Sequence, residues 1–183
     1  MKNNLSLVTG ATSSNRFIGQ KDAVERIFAL NAGAMAAGKV MPHLLIQGPS
    51  GCGKTSLTKN LASQIGTNYY EVICHKKVSR EDIVYTIDKT KKGDILHFDE
   101  CHALNQSCQE VLYGLIDSNT IPMCGDVLLT QKAPEITLVF TTNNPGLLRK
   151  ELRNRLITIE LEVYSLDEIK EIISLAAQNG VYV

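Results

Sequence analysis

With 183 residues, 44% of them hydrophobic and 21% charged, the chain is long enough for one domain that buries roughly 70% of its unfolded surface. Its 19 basic and 19 acidic residues cancel to zero formal charge, which excludes a molecule-wide field drawing it onto nucleic acid or an anionic bilayer. No run approaches the ~18 consecutive apolar residues of a membrane span, and residues 1–12 hold only Leu5, Leu7 and Val8 as large apolar residues, too few for a signal-peptide core, so a cytoplasmic address and no membrane partner are expected.

After a Ser/Thr/Gly-rich opening to Asn15, residues 21–37 read as a helix with Ala23, Val24, Ile27, Leu30, Ala34 and Met35 on its apolar side. Residues 43–47 form a short apolar run, the first expected strand, stopped by Gly48 and Pro49. Next comes Gly48-Pro49-Ser50-Gly51-Cys52-Gly53-Lys54-Thr55, which fits G-x-x-x-x-G-K-[ST], and then Leu57, Leu61, Ala62 and Ile65 recur at helical spacing up to Gly66. Strand, glycine-rich loop and helix in this order make a polyphosphate site. The loop can turn its N–H groups toward phosphate oxygens, and the helix adds its positive N-terminus. Lys54 supplies a point charge for the β- and γ-phosphates, Thr55 a hydroxyl for Mg²⁺, and Ser56 completes the expected nucleotide-binding stretch.

Residues 68–74 read as a second strand, and Ser79 with Asp82 forms a capping box for the following helix. The basic residues nearby, Lys76, Lys77, Arg80, Lys89, Lys91 and Lys92, are interrupted by Glu81, Asp82 and Asp88 and read as a solvated face. The third strand, residues 94–100, is mostly apolar and ends in two carboxylates. Asp99 is placed for the Mg²⁺ shell and Glu100 for orienting or deprotonating an attacking water, the two functions a phosphate loop lacks. His97, in mid-strand, reads as a core histidine. Asn105 can cap a helix running to about Asp117, with Cys108, Val111, Leu112, Leu115 and Ile116 on one face.

A hairpin is expected between residues 120–123 and 127–130, turning at Cys124-Gly125-Asp126. Residues 136–142 are the fourth strand, and Asn143 just beyond it, with Thr142 second, can reach a γ-phosphate or its water. A short basic helix over 147–154, a fifth strand over 157–162 and an amphipathic helix opened by Ser165 and Glu168 and ending near Gly180 complete the chain. The five cysteines, odd in number and without C-x-x-C spacing, read as reduced thiols rather than disulfides or a zinc site. Alternating strands and helices specify an α/β fold of P-loop NTPase type: a five-stranded parallel sheet, helices on both faces, and ligands at the carboxyl ends of the strands.

At this point the chain resembles the AAA+ ATPases and, within them, the RuvB-type Holliday-junction motors. The matching residues are Phe17-Ile18-Gly19-Gln20, the run from His43 to Pro49, Asp99-Glu100-Cys101-His102-Ala103-Leu104, Glu110-Val111-Leu112-Tyr113, Thr137-Leu138-Val139, Gly146-Leu147-Leu148 and Leu152-Arg153-Asn154-Arg155. The resemblance implies an AAA+ core over residues 1–163 and the first part of a helical lid, cut short, over 164–183. It also implies ATP and Mg²⁺ as cofactors, Phe17 and Ile18 lining the adenine pocket, Asn143 as first sensor, and Arg155, helped by Arg153, reaching a neighbouring subunit's γ-phosphate. A finger acting in trans requires a homo-oligomeric ring, six-membered in this family, with branched DNA as client. Residues 117–136 form a shorter stretch than in RuvB, which argues against a RuvA-type partner. The lid arginine and winged-helix domain are absent from this sequence, as in a fragment or a reduced protein. Two other functions share these motifs: an AAA+ ATPase serving a replication clamp or a protein to be remodelled, and an assembly module that binds ATP without turnover.

Overall fold

The strand Thr137–Thr142 is buried at every position, as expected of a central strand covered on both faces. The computed structural model describes residues 5–8, 17–123 and 126–178. In chain order the strands are β1 (Leu5–Val8), β2 (Leu44–Gln47), β3 (Tyr69–Ile73), β4 (Ile95–Asp99), β5 (Thr120–Met123), β6 (Asp126–Lys132), β7 (Thr137–Thr142) and β8 (Ile157–Glu160). The helices are α1 (Lys21–Ala36), α2 (Lys54–Ile65), α3 (Arg80–Asp88), α4 (Gln106–Ser118), α5 (Lys150–Arg153) and α6 (Leu166–Gln178), with 3₁₀ turns at Cys101–Ala103 and Pro145–Leu147. The main sheet runs β1-β3-β4-β7-β2-β8; the five strands from β3 to β8 are parallel, and β1 adds to the β3 edge antiparallel.

Period-two alternation along these strands divides the core into two layers. Leu45, Leu96, Phe98, Leu138 and Phe140 face Ile83 and Ile87 of α3 and Val111, Leu112 and Leu115 of α4. Phe98 and Phe140 stack there with centroids 5.1 Å apart. Leu44, Ile46, Ile95, Val139 and Ile159 face Ala23 and Ile27 of α1 and Leu57, Leu61 and Ala62 of α2. Local caps agree with the sequence: Ser79 and Asp82 form the capping box of α3, Asn105 accepts from Cys108 N–H at 3.0 Å, and Gly66 closes α2 in the left-handed region.

Four features depart from the sequence-based reading. The Ser/Thr/Gly-rich opening contributes β1, whose short Leu/Ser/Leu/Val run is too brief to assign before a partner edge is known. The far end of α1 is not apolar-packed, since Met35 is 67% exposed. The basic stretch 147–154 is a 3₁₀ turn followed by the single helical turn α5, because the Pro145–Leu147 turn ends with Leu148 in extended backbone. The hairpin is a separate two-stranded sheet in which Met123 pairs Asp126, so Asp126 belongs to strand rather than turn. Cys124 and Gly125, like the end of the last helix near Gly180, lie outside the described residues. Among the described residues no helix is long and apolar enough to cross a membrane.

His43 joins two of the parallel strands: its Nδ1 accepts the Leu138 N–H at 3.1 Å, and its carbonyl accepts the Ile157 N–H at 3.0 Å. Burial lowers its pKa from 6.5 to about 4. Because the folded value is the lower one, the stabilisation is complete above pH 6.5 and is lost as the pH falls from 6.5 toward 4. Urea unfolding should therefore lose about 2 kcal/mol between pH 7.5 and 5 through this one group, and His43→Gln should flatten that part of the profile.

Candidate active site

Sheet order brings the phosphate loop and the acidic pair to one rim. β2 delivers Gly48 at its end, β7 lies beside it, and β4 lies beyond β7. Gln47 is in register with Thr142, and Phe98 with Phe140, so Thr141 comes abreast of Asp99. There the Thr55 hydroxyl donates to Asp99 Oδ2 at 3.1 Å, while Oδ1 accepts from Thr141 Oγ1 at 2.6 Å and from the Glu100 N–H at 3.1 Å. Thr55 and Asp99, 44 residues apart, thus meet directly.

Close approaches shape the loop itself. A Cβ on Gly48 would lie 2.6 Å from the Leu161 carbonyl oxygen, a backbone atom with little room to retreat. Gly53 has φ +86°, and a Cβ there would meet the Tyr164 hydroxyl at 2.5 Å and Phe17 Cζ at 3.3 Å. Lys54 is buried, with Nζ donating to the carbonyls of Gly48 at 2.9 Å and Pro49 at 2.7 Å. Cys52 Sγ donates to the Pro49 carbonyl at 2.8 Å. Pro49, Ser50, Gly51 and Ser56 are exposed on the outer side. Ile18 is buried and Phe17 half-buried, beside the loop.

Two residues at this rim are given no role in the sequence reading. Gln20 is bonded to Glu162 twice, Nε2 donating to its carbonyl at 2.6 Å and Oε1 accepting its N–H at 3.0 Å. Tyr164 stands over Gly53, with its hydroxyl pKa raised chiefly by burial. Together they tie residues 17–20 to the entrance of α6. The available signal was an aromatic residue directly before the Ser165/Glu168 capping box, whose two reciprocal bonds the structure shows.

Glu100 adopts φ +52°, a left-handed conformation that costs a non-glycine residue about 1–3 kcal/mol. The turn directs Oε2 into a solvent-shielded position without a hydrogen bond, 3.3 Å from His102 Nδ1. His102 Nδ1 also meets Thr142 Oγ1 at 3.0 Å. Asn143 follows β7 at the same rim and is exposed. The arginines are held elsewhere. Arg155 forms a bidentate pair with Asp117 (2.6 and 2.8 Å), donates to the Glu151 carbonyl at 2.5 Å and lies 5.5 Å from the Tyr113 ring centroid. Arg153 Nη1 donates to the Pro145 carbonyl at 3.4 Å. These partners belong to α4, α5 and the turn before α5 rather than to the phosphate loop. A hydroxyl and carboxylate oxygens facing one another are the hard donors that suit Mg²⁺, and the shielded Glu100 oxygen leaves an acceptor for a water.

The sequence matches the Holliday junction DNA helicase RuvB P-loop domain family over residues 11–161. The RuvB subunit of the Holliday junction branch migration complex from Thermotoga petrophila is 34% identical over 171 residues, covering 90% of this chain and 51% of the relative. Its counterpart from Nostoc sp. is 34% identical over 168 residues, covering 88% and 46%. The solved Thermotoga maritima RuvB Holliday junction branch migration motor superposes with a TM-score of 0.75 at 33% identity, over 89% of this chain and 52% of that one. NtrX from Brucella abortus in complex with ATP, 17% identical with a TM-score of 0.61 over 91% and 43%, shares the fold. The chain spans about half the length of the curated relatives it matches.

Gly48 and Gly51 of the loop differ in what an added Cβ would meet. Gly48→Ala should lower the unfolding free energy by about 1–3 kcal/mol, because its Cβ presses on backbone. Gly51→Ala, where the space is open and only φ +79° opposes a side chain, should cost about 1–2 kcal/mol. Thermal and urea unfolding of the two variants checks the order.

Proposed function

The chain belongs to the RuvB P-loop domain family, and on that footing we propose that it binds MgATP and hydrolyses it as the motor segment of a homo-oligomeric ring acting on Holliday-junction DNA in the cytoplasm. The carrying observation is the Thr55–Asp99 contact at 3.1 Å, which closes the phosphate loop onto the acidic end of β4. In this reading the loop N–H groups from Gly48 to Ser56 and the N-terminus of α2 hold the phosphates, and Lys54 exchanges loop carbonyls for phosphate oxygens. Thr55 and Asp99 hold Mg²⁺, which when bound offsets the charge that grows on the phosphates. Glu100 accepts a proton from, or orients, the attacking water through its shielded oxygen, and Asn143 hydrogen-bonds the γ-phosphate or that water. Phe17 and Ile18 flank the adenine, with Tyr164 closing the pocket over Gly53.

Arg155 completes the site of the next subunit, assisted by Arg153. Its bidentate bond to Asp117 fixes the guanidinium plane before a neighbour arrives, so less side-chain entropy remains to be lost in the ring. The names of the relatives make them subunits of a complex. Like subunits and branched DNA are the proposed partners.

Glu100→Gln should bind ATP as tightly as the wild type yet turn over about 10²- to 10⁴-fold more slowly; unchanged turnover in a coupled ATPase assay would refute the assigned role. Four-way junctions should stimulate the ATPase more than linear duplex does, and an equal response to all DNA would point to another client.

Lys54→Ala and Arg155→Ala should each be nearly inactive, the second by about 10³-fold or more. Mixed together they should recover activity, because an intact site then meets an intact arginine from a neighbour. A mixture as inactive as its parts would sink the trans assignment.

A further inference from the structure

On the α1/α2 side of the sheet a line of buried polar side chains leads away from Asp99. Thr141 Oγ1 donates to Asp99 Oδ1 at 2.6 Å, and His97 Nε2 lies 2.8 Å from Thr141 Oγ1. His97 Nδ1 lies 2.6 Å from the Tyr69 hydroxyl, which donates to Glu71 Oε1 at 2.9 Å. Glu71 Oε2 pairs with Lys59 Nζ at 3.2 Å. The line crosses β7, β4 and β3 and returns to α2, the helix that began it with Thr55. Since Lys59 lies one turn beyond Thr55 on the same face, the circuit is closed.

His97 and Thr141 are fully buried, and Tyr69 and Glu71 nearly so, in a layer whose cluster is otherwise apolar, with Ile, Leu, Val, Ala, Met and Cys side chains. Apolar residues would fill that space without the desolvation cost of polar groups. Every link is instead made. The His97 ring bridges the Tyr69 and Thr141 hydroxyl oxygens and lies 3.5 Å from Glu71 and 4.0 Å from Asp99. His97, 3.5 Å from Glu71 Oε1, is the largest influence holding the Glu71 carboxyl down, at about 2.

We propose that Thr141, His97 and Tyr69 are positioning residues for Asp99: Thr141, held by His97 and through it by Tyr69, occupies Oδ1 beside the Glu100 N–H and so fixes the carboxylate rotamer that turns Oδ2 toward Thr55. The inference rests on the reading of Thr55 and Asp99 as the holders of the nucleotide's divalent ion. Groups that orient a metal-holding carboxylate change metal affinity by about 10- to 100-fold when removed, and they do so without touching the nucleotide.

Mn²⁺ binding to the protein–ADP complex, followed by electron paramagnetic resonance, reads this out apart from turnover. Thr141→Val, which keeps the shape and removes the hydroxyl, should weaken Mn²⁺ about 10-fold, and Thr141→Ser should restore wild-type affinity. Tyr69→Phe, which removes one hydroxyl far from the rim, should weaken Mn²⁺ by a smaller factor in the same direction. ADP affinity measured in EDTA should be the same in all of them. Unchanged Mn²⁺ affinity in Tyr69→Phe and Thr141→Val, or a serine variant as weak as the valine one, overturns the proposal. If Thr141→Val does not fold, Tyr69→Phe decides alone. A wild-type protein that binds ADP with no Mn²⁺ enhancement would instead remove the metal-holding reading, and the positioning role with it.

Discussion

One hydrogen bond, from Thr55 on the first turn of α2 to Asp99 at the end of β4, organises the candidate site. It can form only because β7 separates β2 from β4 and holds both in register, so that the loop leaving β2 and the carboxylate ending β4 face each other across a single strand. A parallel sheet buried on both faces is rigid at its middle strands, and polar groups placed at their carboxyl ends inherit that rigidity. The Gly48 approach to Leu161 O serves the same end, drawing the loop against the exit of β8.

Apolar packing and polar bonding are divided within this sheet. The α3/α4 layer is almost wholly apolar, with Phe98 and Phe140 stacked at its centre. The α1/α2 layer carries the polar line from Thr141 to Glu71 and lies beneath the phosphate loop. Among the described residues, two of the three non-glycine residues with positive φ, Glu100 and Gln20, border the rim, and the third, Asn119, caps α4. Strain of this kind persists where surrounding contacts over-determine it, as the Gln20–Glu162 pair does for one of them.

Much of this was legible in the residues. The phosphate loop, Asp99 and Glu100, the capping boxes of α3 and α6, the Asn105 cap and five parallel strands all follow from short-range patterns whose physical basis is local. Phe17 and Ile18 beside the loop were reached through family resemblance. What escaped notice had its cause outside the local window. β1 exists as a strand because the β3 edge receives it. Tyr164 and Gln20 matter because α6 begins against residues 17–20, a contact between segments over 140 residues apart. His97 read as a satisfied core histidine, which it is, but its partners Tyr69 and Thr141 lie on neighbouring strands, 28 and 44 residues away.

By itself, then, the sequence determined most of the element types and the positions of the glycine-rich loop and the acidic pair, since each depends on residues within a helical turn or a strand of one another. Tertiary structure decided which of these groups touch: that Asp99 meets Thr55 and Thr141, that Arg155 lies on Asp117, and that Tyr164 covers Gly53. The reason is that strand order, here β3-β4-β7-β2-β8, follows from how the helices pack over the whole sheet. No local pattern records that packing, and the side-chain partners at the rim are set by it.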